Sequence, residues 1–146
     1  MRKLKELGAD AVINVNETDF SKWAIEKYGK PQRRSYDGGV DIVINFTGGE
    51  TWHPSLRCLK RGGKLLVCGA TAGYDPKEDL RYVWSFELKI IGSNSFYDGD
   101  LRALMKLIAE RKMRPVIDKV LPLDEAREGL RLIQDREVIG KVVVAP

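Results

Sequence analysis

The sequence holds few of the residues that build metal centres and disulfide frameworks. It has two cysteines, Cys58 and Cys68, and a single histidine, His53. Cysteines at this spacing form neither a CxxC metal knuckle nor a disulfide framework, so we expect no metal ligand and a cytoplasmic setting. His53 has no Cys or Asp at the spacing of a catalytic triad, and a capping or surface role is favoured over general-base catalysis. The residues alone therefore predict no catalytic group in this chain.

Long apolar runs and charge blocks are lacking as well. No stretch approaches the roughly 18 apolar residues of a membrane span, and the residues after Met1 are typical of a helix interior rather than of a signal peptide. The net charge of +4 is spread over interleaved basic and acidic side chains. Because nucleic-acid binding needs basic residues clustered on one face, this pattern predicts a solvated surface with neither membrane nor nucleic acid as partner.

Two apolar runs rich in branched residues stand in the middle of the chain. The run from Val40 to Asn45 leads into a glycine turn at 47–49, and the run from Lys64 to Cys68 leads into another at 69–73. Such runs are typical of strands covered on both faces, as in a parallel sheet. The residues between them recur at helical spacing, which predicts a strand–helix–strand unit. Ligands in such sheets bind beyond the carboxyl ends of the strands, where both turns lie.

The length of 146 residues predicts one domain, 1–146. Within the central unit we expect Thr51 to cap the helix and Gly62-Gly63 to end it. Apolar spacing and turn residues also predict a series of further elements. These are a helix before Gly8, a strand from Ala11 to Val15, a helix from Phe20 to Gly29, a short helix after Asp75-Pro76, a strand from Leu88 to Gly92, helices opening at Asp98 and Asp124, an extended piece from Val116 to Leu121, and a last strand from Gly140 to Ala145.

Five segments carry a family pattern in order along nearly the whole chain. They are KLKELGADAVIN, VDIVINFTGG, GGKLLVCGATAG, LKIIGSN and the tail LPLDEAREGLRLIQDREVIGKVVVAP. This set resembles the zinc-type alcohol dehydrogenase and quinone reductase superfamily, the medium-chain dehydrogenases/reductases. The resemblance implies that the chain is the C-terminal part of the nucleotide-binding domain of an NAD(P)-dependent oxidoreductase. In the intact enzyme, hydride passes between an alcohol or carbonyl and the nicotinamide.

The resemblance also implies what this chain does not contain. The family's nucleotide-binding domain opens with a strand and a G-x-G-x-x-G turn, and no such motif is present. The expected fold is therefore α/β, an incomplete Rossmann-like parallel sheet with helices on both faces that lacks the first two strands. The family's zinc would come only from a catalytic domain outside this chain. By itself the chain is then expected to be inactive.

The missing strands would leave a sheet edge open. In the family order 3-2-1-4-5-6, the run from Ala11 to Val15 is the third strand and the run from Val40 to Asn45 the fourth. Without strands 1 and 2, the fourth strand has unpaired backbone groups. We expect one of two repairs: the third strand moves across to pair with the fourth, or a second polypeptide covers the edge.

The resemblance assigns cofactor contacts to the turns. Those that would line the adenosine side are Thr47, Gly48 and Gly49; those that would offer backbone groups to the nicotinamide carboxamide are Cys68, Gly69, Ala70, Gly92 and Ser93; Lys141 would face the pyrophosphate. NAD or NADP is the implied cofactor. The alternative is that these glycines only make tight turns and that Lys141 is solvated.

The resemblance implies a partner, and two other functions stay open. Family members pair the last strand of the sheet across a twofold axis, so the segment from Leu88 to Ser93 would form a homodimer. The main alternative is a non-enzymatic Rossmann-like module that only self-associates. The other is one half of a split enzyme completed by a separate N-terminal polypeptide. A response-regulator or flavodoxin-like fold is disfavoured, because it needs five complete strands with an acidic pocket or phosphate loop after the first.

Overall fold

A computed structural model describes residues 2–146. Contacts along the chain divide it into two compact units, one ending at Ser95 and the other comprising Phe96–Pro146. Both consist of parallel strands flanked by helices, so the α/β class and the Rossmann-like architecture are confirmed. The single domain inferred from length stays a prediction.

The first unit contains four α-helices, a 3-10 turn at Gly49–Thr51 and three strands among its described residues. The helices are α1 (Arg2–Glu6), α2 (Phe20–Tyr28), α3 (Trp52–Arg57) and α4 (Leu80–Ser85), and the strands are β1 (Val40–Asn45), β2 (Leu59–Val67) and β3 (Lys89–Gly92). The strands lie in the order β1-β2-β3 and all pairs are parallel. The runs predicted as strands around Val40, Lys64 and Leu88 are therefore confirmed as neighbours in one sheet.

The core of this unit lies between the sheet and the helices that connect its strands. Its buried members are Leu56, Leu59, Leu65, Phe86 and Leu88. Leu65 pairs with Val43 on one side and with Ile90 on the other, so these three side chains share one face of the sheet. The helices bury Leu65 and cover part of Val43 on this face, whereas Ile90 at the sheet edge is exposed. The next residues along, Ile44 and Ile91, alternate to the opposite face and are exposed.

The predicted strand from Ala11 to Val15 is wrong. Residues 11–14 have no regular structure, and Val15 already lies in a turn in which the Asn14 carbonyl accepts hydrogen bonds from Glu17 and Thr18. Among residues 2–146, β1 pairs only with β2, so no described strand has moved across to its open edge. A five-residue apolar run without a neighbouring strand has no ladder to join, and its propensity alone does not make it a strand. Coverage of the β1 edge by a second polypeptide stays a prediction.

Two local expectations for the central helix are also wrong. α3 ends at Arg57, and the Cys58 carbonyl accepts a hydrogen bond from Val40, so the chain enters β2 before it reaches Gly62-Gly63. The two glycines lie in an irregular part of β2 that separates the Val40–Leu59 pair from the Ile42–Lys64 pair. Thr51 makes no side-chain cap, because its hydroxyl donates to the Gly48 carbonyl instead.

The second unit is a strand–helix–strand unit preceded by a helix. It contains α5 (Asp98–Ala109), β4 (Ile117–Pro122), α6 (Ala126–Gln134) and β5 (Lys141–Ala145). β4 and β5 pair in parallel, as expected for strands joined by a helical crossover. Gly129 of α6 is buried, and a Cβ there would lie 3.1 Å from Val142 and 3.4 Å from Leu121. The glycine thus allows the helix to pack closely on both strands.

Within residues 2–146 the longest helices fall short of what a membrane span requires, and none has the necessary apolar stretch.

Candidate cofactor-binding site

The strand register brings three turns to one edge of the first sheet. Asn45, Val67 and Gly92 are aligned partners at the carboxyl ends of β1, β2 and β3. Because parallel strands run in the same direction, the chain leaves all three at the same edge. The turns that the resemblance assigns to the cofactor, at 47–49, 68–73 and 92–93, therefore share one shelf. This is the edge at which open α/β sheets bind ligands.

The side chain of Asn45 organises the first turn. It is 5% exposed, and its Oδ1 accepts hydrogen bonds from the backbone N–H groups of Thr47 (3.0 Å) and Gly48 (2.8 Å). Its Nδ2 donates to the hydroxyls of Thr51 and Ser55, each at 3.0 Å. All four contacts tie the end of β1 to the turn and to α3. Sequence reasoning missed Asn45, although a polar residue closing a buried strand is a recognisable signal.

The glycines of the first turn make close contact with the turn after β2. Gly48 has φ 68° and ψ −150°, a conformation that only glycine adopts readily. A Cβ at Gly48 would lie 2.3 Å from the Gly73 carbonyl oxygen and 3.0 Å from Ala70. The N–H of Gly49 donates to the Gly73 carbonyl at 2.8 Å, and the N–H of Ala72 donates to the Thr47 carbonyl at 2.7 Å. The two turns are thus locked into one surface.

Of the backbone N–H groups expected to bind the nicotinamide carboxamide, some are already hydrogen-bonded within the sheet and others are not. The N–H of Cys68 donates to Asn45, and the N–H of Ser93 donates to Val67, so the sheet already uses both. In contrast, the N–H groups of Gly69 and Ala70 have no acceptor within residues 2–146. Unpaired amides at the end of a strand can bind an oxygen of a ligand. Among residues 2–146, the free N–H donors of the shelf are therefore those of Gly69, Ala70, Thr71 and Gly92.

A cavity of about 300 Å³ opens beside these donors. Its lining combines the glycine turns with the segment after them: Gly48, Trp52, Val67, Gly69, Ala70, Gly73, Tyr74, Asp75, Pro76 and Glu78. The indole N–H of Trp52 donates to the Glu78 carboxylate, which holds this segment against α3. The sequence indicated a helix start at Asp75-Pro76, but α4 begins only at Leu80, with Asp79 as its cap. The intervening residues instead form one wall of the cavity.

Lys141 and the edge glycine Gly92 are exposed. Lys141 is the first residue of β5 in the second unit, and its N–H donates to the Val116 carbonyl. The cofactor contacts assigned to Lys141, to Gly92 and Ser93, and to the residues of the first two turns all stay predictions.

The remaining reactive side chains form no catalytic arrangement. His53 accepts a hydrogen bond from Arg57, one turn along the same helix. Cys58 is 2% exposed, and burial raises the pKa of its thiol to about 11, which keeps it protonated and unreactive. Cys68 is an exposed free thiol. In the part of the chain that the structure describes, no three His, Cys, Asp or Glu side chains are arranged so that they could hold a metal ion, so these residues do not fit the family's zinc.

A family model described as zinc-binding dehydrogenase matches residues 7–144. The chain belongs to this family. Its members are NAD(P)-dependent, and their zinc lies in the catalytic domain. The chain corresponds to the C-terminal, cofactor-binding part of these enzymes, as the resemblance implied.

Known proteins of the family are similar along nearly the whole chain. An acryloyl-coenzyme A reductase of Sulfurisphaera tokodaii is 34% identical over 97% of the chain, which covers 45% of that protein. A crystal structure of an NAD-dependent alcohol dehydrogenase superposes with a TM-score of 0.81 at 32% identity, covering 99% of the chain and 40% of that structure. The 2-octenoyl-CoA carboxylase reductase CinF, solved with NADP and 2-octenoyl-CoA, gives a TM-score of 0.79 at 31% identity, covering 97% of the chain and 34% of CinF. The chain spans about a third to under a half of the length of the curated relatives it matches.

Proposed function

We propose that this chain supplies the nicotinamide side of the NAD(P) site in a zinc-type dehydrogenase. The cofactor accepts or donates hydride when bound. The chain's own part is to position the carboxamide through the N–H groups of Gly69 and Ala70. Trp52, which lines the cavity, would help to exclude water from it. Thr47, Gly48 and Gly49 would border the adenosine side.

One observation carries the proposal: two unpaired N–H groups lie at the carboxyl edge of the sheet, beside a cavity walled by glycines. Glycine at these positions lets the backbone approach a flat ligand closely. A structural role alone explains the contacts between Gly48 and Gly73, but it gives the amides of Gly69 and Ala70 no acceptor among residues 2–146, so that solvent or a ligand has to supply one. A carboxamide oxygen would satisfy such donors.

The substrate of the intact enzyme has two candidate classes. The first is an alcohol or carbonyl compound, consistent with the similarity to NAD-dependent alcohol dehydrogenase. The second is an unsaturated acyl-CoA thioester, which the names of acryloyl-coenzyme A reductase and CinF favour. In both, hydride transfer would take place at the carboxyl edge of the sheet, where the nicotinamide would lie.

We also propose that β3 forms a homodimer across its open edge. Ser93 donates its N–H to Val67, and because strand residues alternate, the N–H groups of Ile90 and Gly92 point away from β2. Ile90 and Ile91 are 43% and 41% exposed, so both faces of this edge carry apolar surface. Pairing with a second copy would satisfy the backbone groups and cover these side chains.

Two free thiols, at Cys58 and Cys68, support a reducing, cytoplasmic setting.

A fluorescence titration with NADH and NADPH tests the cofactor role. Trp52 lines the cavity, so binding should quench its emission in a saturable way. Ala70→Glu places a negative charge at an exposed position beside the cavity and should weaken binding about tenfold or more, since it opposes the cofactor phosphates. Ala109→Glu, exposed at the end of α5, adds the same charge and should leave binding unchanged. Lack of a saturable signal at millimolar cofactor would favour the non-enzymatic, self-associating module.

A further inference from the structure

A second cavity, of about 500 Å³, lies in the first unit and is larger than the cofactor cavity. Nine residues line it: Ile25, Lys30, Pro31, Gln32, Arg33, Arg34, Arg57, Tyr82 and Phe86. They come from α2, the loop after it, the end of α3 and the region of α4. None of them lines the shelf at the carboxyl edge of the sheet.

This cavity lies at the amino ends of the strands. The Gly29 carbonyl accepts a hydrogen bond from Gly39, and the Cys58 carbonyl accepts one from Val40, the first residue of β1. The loop that begins at Lys30 and the end of α3 at Arg57 are therefore both held next to the start of the sheet. Because the cofactor shelf is at the opposite edge, the two cavities are independent sites.

The polar part of the lining is entirely basic apart from Gln32 and the Tyr82 hydroxyl. Arg33 and Arg34 have no carboxylate within 4.0 Å among residues 2–146, and neither has Lys30. No Asp or Glu of residues 2–146 lines the pocket. Asp79 forms an ion pair with Arg81, Glu87 pairs with Arg61, and Asp37 accepts a hydrogen bond from Ser35. The lining thus carries four cations, of which Lys30, Arg33 and Arg34 have no ion pair among residues 2–146, while Asp79, paired first with Arg81, also interacts electrostatically with Arg57.

Aromatic rings fix two of the guanidinium groups. The Arg57 guanidinium lies 5.5 Å from the Tyr82 ring centre, and that of Arg33 lies 5.7 Å from the Phe86 ring centre. The two rings stack with their centres 4.4 Å apart, and the Tyr82 hydroxyl donates to the Arg57 carbonyl. Cation–π contacts of this kind hold an arginine fork in place while N–H groups stay available, which for Arg57 are those of its two terminal nitrogens because its Nε–H donates to His53.

The apolar part of the lining distinguishes between anions. Ile25, Pro31 and the aromatic pair form a wall beside the cations. A bare inorganic ion would leave this wall in contact with water, whereas an organic phosphate would cover it. Planar guanidinium forks bind phosphate oxygens in pairs, which favours phosphate over a single carboxylate. The volume of this half-open pocket suits a small molecule, and a nucleic acid would instead need a basic stripe along the surface.

We propose that this pocket, defined by Lys30, Arg33, Arg34 and Arg57 with the Tyr82–Phe86 wall, binds a phosphate monoester. Arg33, Arg34 and Arg57 hold the phosphate, and the organic group lies against the wall. The site is separate from the NAD(P) shelf, so its occupation does not depend on the proposed oxidoreductase function.

Phenyl phosphate tests the proposal by calorimetric titration of the whole chain, with inorganic phosphate as the comparison. The aryl ester should bind at least tenfold more tightly than inorganic phosphate, a difference of about 1.4 kcal/mol. Arg33→Gln with Arg34→Gln should weaken binding of phenyl phosphate at least tenfold. The control pair Lys3→Gln with Arg114→Gln removes the same charge from exposed positions elsewhere and should leave binding unchanged.

Three results would overturn the proposal. They are equal affinity for the two phosphates, equal weakening by both variant pairs, and tighter binding of a single-stranded oligonucleotide that displaces phenyl phosphate. An NADH titration of the Arg33→Gln, Arg34→Gln variant separates the two sites. It should match that of the unmodified chain, whether or not the cofactor proposal holds.

Discussion

The amide oxygen of Asn45 lies 2.8 Å from the backbone nitrogen of Gly48, and this hydrogen bond fixes the turn that follows β1. Through the same turn, Gly49 bonds to Gly73 at the end of the next loop. One buried amide therefore sets the position of two glycine segments of the cofactor shelf. Perturbing it should affect both stability and cofactor binding.

Asn45→Ala should lower the free energy of unfolding by roughly 2–4 kcal/mol, because the N–H groups of Thr47 and Gly48 lose their acceptor in a buried place. Urea denaturation measures this change. The control Asn16→Ala alters an exposed residue with no side-chain hydrogen bond in the described chain and should stay within about 0.5 kcal/mol. Equal effects of the two variants would show that Asn45 does not organise the turn.

Gly48→Ala should destabilise the chain by roughly 2–4 kcal/mol, since the new Cβ meets the Gly73 carbonyl and the φ value favours glycine. It should also weaken any NADH binding, because the two turns must separate. Gly99→Ala, in α5 with open space around its Cβ, should instead stabilise by about 0.5–1 kcal/mol. If Gly48→Ala left the free energy of unfolding unchanged, the contact between the two turns would not be tight.

The buried thiol predicts a pH dependence. Burial raises the pKa of Cys58 from 9.0 to about 11, so between these values the unfolded chain loses the proton while the folded chain keeps it. Stability should therefore fall as pH rises above 9, and Cys58→Ala should flatten the fall between pH 9 and 10. Above pH 10 Tyr82 acts in the same direction, because burial raises its pKa as well.

Thiol labelling near neutral pH should modify Cys68 alone in the folded chain, and modification of both cysteines would contradict the burial of Cys58.

The proposed dimer can be blocked at the free edge of β3. Ile90→Pro removes an N–H that points away from β2, so it should convert a dimer to a monomer while leaving the β2–β3 ladder in place. Ile90→Val keeps the N–H and should stay dimeric. Sedimentation velocity distinguishes the states, and circular dichroism checks that the fold survives. A chain that is monomeric before any substitution would refute the β3 dimer.

The sheet was predictable from the sequence because its strands are continuous apolar runs bounded by glycine. Val40–Asn45 was predicted to the residue, and the helix from Phe20 was also correct. The run from Ala11 to Val15 looks similar, but the structure gives it no pairing partner. A strand exists only with its ladder, and composition does not reveal whether a neighbour is present.

The position of the candidate site could be predicted from the sequence, but the backbone amides that remain free to bind a ligand there could not. Glycines at 47–49 and 69–73 indicated the edge where a ligand could lie, and the register places them together. Which backbone amides remain free depends on the ladder, so Cys68 and Ser93 could not be separated from Gly69 and Ala70 beforehand. The hydrogen bond between Trp52 and Glu78, 26 residues apart in the chain, likewise requires the folded structure.

The most direct measurement of the central claim is a ¹H–¹⁵N correlation spectrum of the chain titrated with NADH. If the carboxyl-edge turns hold the nicotinamide, the amide signals of Gly69 and Ala70 should shift in a saturable way, while that of Gly129 stays fixed. Shifts that are absent at millimolar NADH, or that do not involve Gly69 and Ala70, would contradict the account.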